Sequence, residues 1–96
     1  MSKHFVYILE CGDGSLYTGY TVDPKRRLRA HKKGQGAQYT RGRGPLKVVY
    51  LEKLASKSEG LKREYAIKQL TRAEKKDLIQ SSKKTSLGLL LEAWGS

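Results

Sequence analysis

Phe5-Val6-Tyr7-Ile8-Leu9-Glu10-Cys11-Gly12-Asp13-Gly14-Ser15-Leu16-Tyr17-Thr18-Gly19-Tyr20 is the stretch that decides the fold of this 96-residue chain. Residues 5 to 10 and 16 to 20 are rich in Val, Ile, Leu, Tyr and Thr, side chains that suit a pleated surface. Gly12-Asp13-Gly14-Ser15 lies between them and signals a hairpin, because glycine tolerates the positive φ of a tight reversal. A hairpin centred near Asp13 sets Tyr7 opposite Gly19 and Leu9 opposite Tyr17. Odd-numbered side chains then share one face, with the two tyrosines as diagonal neighbours. The missing side chain at Gly19 predicts open space beside Tyr7, where a substrate backbone can approach.

Downstream, Asp23-Pro24 predicts a helix start, a capping acceptor followed by proline at the first helical position. That helix runs to about Lys33, with Gly34 as its stop. Arg27 and His31 are four residues apart and therefore share a face. Residues 34 to 46 mix glycines and Pro45 with basic and polar residues and read as a loop. Lys47 to Lys53 is a third strand, and the run Val48-Val49-Tyr50-Leu51 predicts a central, buried position for it.

Ser56-Lys57-Ser58-Glu59 fits a capping box and opens a helix to about Leu70. Its apolar residues Leu61, Tyr65, Ala66, Ile67 and Leu70 cover a broad arc, within which Glu64 falls between Leu61 and Ile67. A second box, Thr71-Arg72-Ala73-Glu74, opens a short helix ending near Gln80. Ser81 to Thr85 reads as a polar linker, and Ser86 to Ser96 as an apolar tail holding the single tryptophan, Trp94. This order predicts an α/β fold: a small three-stranded antiparallel sheet flanked by helices. Residues 1–81 form the domain and residues 82–96 the linker and tail.

Composition narrows the function. The formal net charge is +11, from 20 Lys and Arg against 9 Asp and Glu. Lys25, Arg26, Arg27, Arg29, Lys32, Lys33, Arg41, Arg43 and Lys47 succeed one another without an intervening acid. Such a stretch attracts a polyanion and releases its counterions, which makes nucleic acid the first partner to consider. A solvated basic face that merely keeps the protein soluble is the plainer alternative. Cys11 is alone, so neither an intrachain disulfide nor a cysteine zinc site can form, and a reducing cytoplasm fits. No secretory or transit pattern opens the chain. The most apolar stretch, Leu87 to Leu91, is interrupted by Gly88 and is far shorter than a membrane span.

Val6-Tyr7-Ile8, Tyr17-Thr18-Gly19, Arg26-Arg27, His31 and Arg63-Glu64, in this order, resemble the GIY-YIG endonuclease family over about the first eighty residues. Gly36-Ala37-Gln38-Tyr39-Thr40-Arg41 looks like the small stand-alone branch of that family. The first motif departs from the Gly-Ile-Tyr wording, with Phe5-Val6-Tyr7 as its equivalent. An asparagine that many members carry after the metal-binding glutamate has no evident counterpart here. The resemblance implies a metal-dependent endonuclease that leaves a 5′ phosphate and a 3′ hydroxyl, with the same small α/β architecture.

Phosphodiester hydrolysis needs activated water, neutralisation of charge on the phosphoryl oxygens and help for the departing oxygen. Glu64 is the expected ligand of a single Mg²⁺ or Mn²⁺, since a hard cation often takes one or two carboxylates and completes its shell with water and phosphate. The plainer reading is an i,i+4 ion pair with Lys68, worth roughly 0.3–0.5 kcal/mol. Arg27 is expected to stabilise the five-coordinate phosphate, because its guanidinium stays charged and matches phosphate oxygens in a fixed fork. Tyr17, with Tyr7 beside it, is the candidate general base or water-positioning group. A phenol of pKa about 10 needs nearby cations to serve at neutral pH, and which tyrosine takes the proton stays open. His31 is the candidate proton acceptor, or else an ordinary helix-end residue on local carbonyls. Gly19, Arg26, Lys32, Tyr39, Arg41 and Arg43 are expected to bind substrate, with Tyr39 stacking on a base and the arginines holding phosphates. No strand-to-helix phosphate loop is present, so no nucleotide cofactor is expected.

The leading expectation is thus a metal-dependent endonuclease on structured, damaged or branched DNA, a DNA-repair type of substrate, with DNA favoured over RNA. The alternatives are a nucleic-acid-binding module that keeps the fold with little activity, and a subunit activated by a partner protein through Leu89, Leu90, Leu91 and Trp94. A tail packed as a short helix on the protein's own core is slightly preferred to that partner surface.

Overall fold

A computed structural model describes residues 4–34, 42 and 44–82, apart from the side chains of Lys32 and Ser82. Strands β1 (His4–Glu10) and β2 (Leu16–Thr21) form the hairpin, followed by α1 (Pro24–Lys32), β3 (Lys47–Leu54), α2 (Lys57–Lys68) and α3 (Arg72–Ser82). The β1–β2 register pairs Tyr7 with Gly19 and Leu9 with Tyr17, as a turn centred on Asp13 requires. Asp13 accepts hydrogen bonds from the Ser15 amide and hydroxyl, and Gly14 takes φ +86°. Side-chain acceptor and glycine together make the reversal local, so register needs no distant contact.

The antiparallel sheet has the order β2-β1-β3, so β1 is central and β3 is an edge, contrary to the sequence expectation. The apolar run of β3 has a different cause: both of its faces are covered. Val48 and Leu51 pack with Tyr7 and Leu9 on the face that receives Leu28 of α1. Tyr50 packs with Val6, Ile8 and Ile67 on the face covered by α2 and α3. An irregularity between Ile8 and Leu9 passes over Val49, which leaves the ladder and leans toward that second face.

All three helix starts carry the predicted caps. Asp23 accepts from the Arg26 amide and Ser56 from the Glu59 amide. At α3 the exchange is reciprocal, with the Thr71 amide donating to Glu74 and the Glu74 amide to the Thr71 hydroxyl. Gly34, at φ +76°, ends the α1 turn.

The packing face of α2 differs from the arc expected from its apolar residues. Leu61 and Tyr65 are 44% and 68% exposed, Ala66 is exposed, and only Gly60 and Ile67 are buried. The ring of Tyr20, held by a 2.7 Å hydrogen bond to His4 Nδ1, occupies the space where a Gly60 Cβ would lie. That close approach rotates the helix so that Gly60, Arg63, Glu64 and Ile67 face inward. Arg63 Nε then donates to Glu52 at 2.8 Å, and the Tyr50 hydroxyl donates to the same carboxylate oxygen. The clasp ties α2 to β3 one residue before Glu64. Residues 83–96, and with them the linker and tail expectations, lie outside the described part.

Candidate active site

Tyr7 comes from the central strand, Tyr17 from β2, and Arg27 and His31 from α1, which lies over the odd-numbered face of the hairpin. The three rings form one cluster. Centroids are 6.4 Å apart for Tyr7–Tyr17, 5.9 Å for Tyr7–His31 and 5.3 Å for Tyr17–His31. The Tyr7 hydroxyl lies 2.9 Å from His31 Nε2, and both residues are buried. His31 is 2% exposed, which puts it in the core and not at a solvated helix end.

Burial, seconded by the charge of Arg27, pulls the His31 pKa down to about 4. The imidazole is therefore neutral at pH 7. The Arg27 guanidinium, which has only donors to offer, lies close enough to Tyr7 and to Tyr17 to interact with both phenols. Because the imidazole is neutral, the Tyr7 hydroxyl and His31 Nε2 share one hydrogen bond whose donor is set by the imidazole tautomer. Burial pushes the Tyr7 phenol up to about 12, partly opposed by the nearby Arg27 guanidinium. The negative charge of Glu64 adds slightly to that rise, so the carboxylate from the second helix is near enough to act on this group.

Arg27 and Arg63 are held in opposite ways. Arg63 is bonded to a carboxylate, Glu52, which cancels its charge. The groups that raise the Arg27 pKa are Tyr7 and Tyr17, phenols and not carboxylates. Arg27 therefore keeps its full positive charge in a half-buried position. This is the electrostatic arrangement that receives an anion. Around it Lys25, Arg26, Arg29 and Lys33 stand exposed on the outer side of α1.

Glu64 has a side chain 20% exposed, and Lys68 Nζ lies 3.2 Å from its Oε2. Among the described residues no three His, Cys, Asp or Glu side chains cluster to form an all-protein metal cage. A single half-buried carboxylate nevertheless fits Mg²⁺ or Mn²⁺, which retain water and complete their shells with phosphate oxygens.

Gly19 differs from expectation. The space beside it is filled by Tyr7, whose Cζ and Cε1 would lie 2.5 and 3.0 Å from a Cβ at this position. The glycine lets the phenol cross β2 to reach His31 and Arg27, and leaves no opening for a substrate backbone. Tyr39, Arg41 and Arg43 lie outside the described residues, as does the Lys32 side chain, while Arg26 is exposed. Two residues gained weight only from the structure. Gly60 seats α2, and Glu52 holds Arg63; glycine inside a predicted helix was the one local signal for the first.

Comparison with known proteins gives the family. Residues 3–77 match the family described as the GIY-YIG catalytic domain. A UPF0213 protein of Oceanobacillus iheyensis is 56% identical over 78 residues, 81% of this chain and 91% of that one. A UPF0213 protein of Staphylococcus epidermidis is 55% identical over 80 residues, 83% of this chain and 98% of that one. Among solved structures, a UPF0213 protein from Bacillus halodurans shares 52% identity with a TM-score of 0.54, covering 80% of this chain and 82% of its own. A protein from E. faecalis shares 40% identity with a TM-score of 0.60, covering 88% and 94%. The chain belongs to the GIY-YIG family of nucleases, and its relatives are its small UPF0213 members.

Proposed function

We propose that the protein is a metal-dependent endonuclease that hydrolyses phosphodiester bonds in DNA, preferentially structured, damaged or branched DNA. The observation that carries this reading is the contact of Tyr7, Tyr17 and His31, with Arg27 beside the two phenols and Glu64 near enough for its charge to act on Tyr7.

In this reading Arg27 holds the scissile phosphate and offsets the charge that builds on its oxygens. Tyr7 positions the attacking water, and its 2.9 Å contact with His31 Nε2 supports the tyrosine–histidine pair as the proton path. Tyr17 fixes the guanidinium from the other side. A divalent ion on Glu64 would supply Lewis-acid stabilisation and a lowered pKa for bound water. Lys68 is half exposed and holds Glu64 by an i,i+4 pair worth roughly 0.3–0.5 kcal/mol, a weak competitor for such an ion. The exposed cations of α1 bind the flanking backbone of a nucleic acid without reading its sequence.

The same Glu64–Lys68 pair is the observation that favours the second reading, a nucleic-acid-binding module with little turnover. The test is cleavage of single-stranded, duplex and branched DNA, and of RNA, with Mg²⁺ or Mn²⁺, beside Glu64→Ala and Arg27→Ala. Cleavage lost in both variants supports the nuclease. Equal cleavage in all three proteins points to a contaminant. Absent cleavage, with salt-sensitive binding unchanged by Glu64→Ala, supports the binding module.

A further inference from the structure

We infer that the tail of this chain, from Leu87 through Trp94, folds back into a groove on the same molecule between α3 and the turn-side ends of the strands. The groove has a free volume of about 270 Å³. Leu16, Val49 and Ile79 are its apolar floor, and Glu10, Lys47, Lys76 and Gln80 stand around it. All three floor residues pack against the second core cluster yet stay half-buried. Val49 is there because the ladder irregularity releases it from pairing. The floor is a continuation of the core that the described residues cover incompletely.

The occupant follows from where the chain goes next. Ile79 and Gln80 lie in the last turn of α3, which ends at Ser82. Lys83-Lys84-Thr85-Ser86 comes next, and four extended residues span roughly 13 Å, enough to reverse direction over the end of a helix. Leu87, Leu89, Leu90, Leu91 and Trp94 then arrive within reach, with Glu92 as the single acid of the segment, facing a rim on which Lys47 and Lys76 outnumber Glu10. A second copy would be a poor occupant, because a stable interface buries about 800 Å² per partner and this floor is three side chains. A tethered segment needs far less, since its effective concentration is already in the millimolar range. The segment is also surplus to the catalytic domain. The family match ends at residue 77, and the staphylococcal relative is matched over 98% of its length but only 83% of this chain.

Trp94 is the single tryptophan, so its fluorescence reports the docking directly. In the 96-residue chain we expect blue-shifted emission and acrylamide quenching several-fold slower than for free tryptophan, independent of protein concentration. Leu90→Asp in the tail, and Val49→Asp and Ile79→Asp in the floor, should each shift emission to the red and restore fast quenching. Leu90→Asp leaves the domain untouched, so it remains informative where a floor variant unfolds. Fast quenching in the unaltered chain overturns the inference. Protection lost on dilution overturns it in favour of a second copy, and protection that survives both floor variants in folded protein overturns it in favour of another surface.

Discussion

The ring of Tyr7 lies across the backbone of Gly19 on the neighbouring strand, and that crossing brings its hydroxyl to 2.9 Å from His31 Nε2. The glycine is required because any Cβ at position 19 would overlap the phenol. Its backbone needs no special φ, so space alone is at stake. Gly19→Ala should therefore displace Tyr7 from His31 and Arg27. We expect a loss of about 1–3 kcal/mol from overpacking, seen in thermal or urea melts. Cleavage should fall about as far as in Tyr7→Phe. Cleavage intact in Gly19→Ala would show that the Tyr7–His31 contact is dispensable.

Stability should depend on pH at both ends. The folded pKa of His31, about 4, is below the usual 6.5, so the unfolded chain binds this proton more tightly. Its contribution is complete above pH 6.5, falls as pH drops toward 4, and then levels, for a total of at most about 3 kcal/mol. His31→Gln should flatten that acid limb in urea titrations between pH 7 and 4. Tyr7 and Tyr50 have folded pKa values pushed up to about 12 by burial, so the unfolded chain ionises first. Their contribution is complete below pH 10 and is lost as pH rises through 12. Tyr7→Phe should reduce the alkaline limb. A stability profile unchanged in either variant would contradict the buried, neutral states assigned to these side chains.

Thr18 is 3% exposed on the face under α2, and its hydroxyl oxygen has no hydrogen-bond partner among the described residues. A buried unsatisfied hydroxyl costs about 1–3 kcal/mol, whereas a methyl group in the same place costs nothing polar. Thr18→Val is expected to raise stability by about 1 kcal/mol, a rise in Tm of roughly 4–8 °C for a domain of this size. A lowered Tm would mean that the hydroxyl has a partner, such as a bound water, that the packing depends on.

The exposed cations of α1 and the half-buried Arg27 should separate in a binding experiment. Each of Lys25→Ala, Arg26→Ala and Arg29→Ala is expected to weaken binding to all DNA forms alike and to reduce the slope of log K against log salt by about 0.7–0.9. Arg27→Ala should lower the cleavage rate about 10²–10³-fold, as for loss of a transition-state donor. Equal effects of Arg26→Ala and Arg27→Ala on cleavage at saturating DNA would remove the special role of Arg27.

Most of the fold is legible in the sequence because most of its signals are local. Asp13 and Gly14 make the turn, Asp23, Ser56 and Thr71 cap three helices, and the register of the hairpin follows by counting. A hydrogen bond between residues two or three apart, or a positive φ at a glycine, needs no knowledge of the rest of the chain. The family motif is equally local in its wording, which is why Tyr7, Tyr17, Arg27, His31 and Glu64 can be named together without coordinates.

Tertiary packing decided what those signals leave open. The continuous apolar run of β3 reflects two covered faces, and only the sheet order shows that the strand is an edge. The apolar residues of α2 point largely to solvent, because the fit of Tyr20 into Gly60 and the Arg63–Glu52–Tyr50 clasp set the helix rotation. The periodicity of a short helix ranks faces by hydrophobicity, whereas the sheet selects the face that fits its shape. Gly19 shows the same division. Counting places it opposite Tyr7, but whether the gap admits a ligand or the tyrosine itself depends on side-chain direction, and only three-dimensional packing determines that.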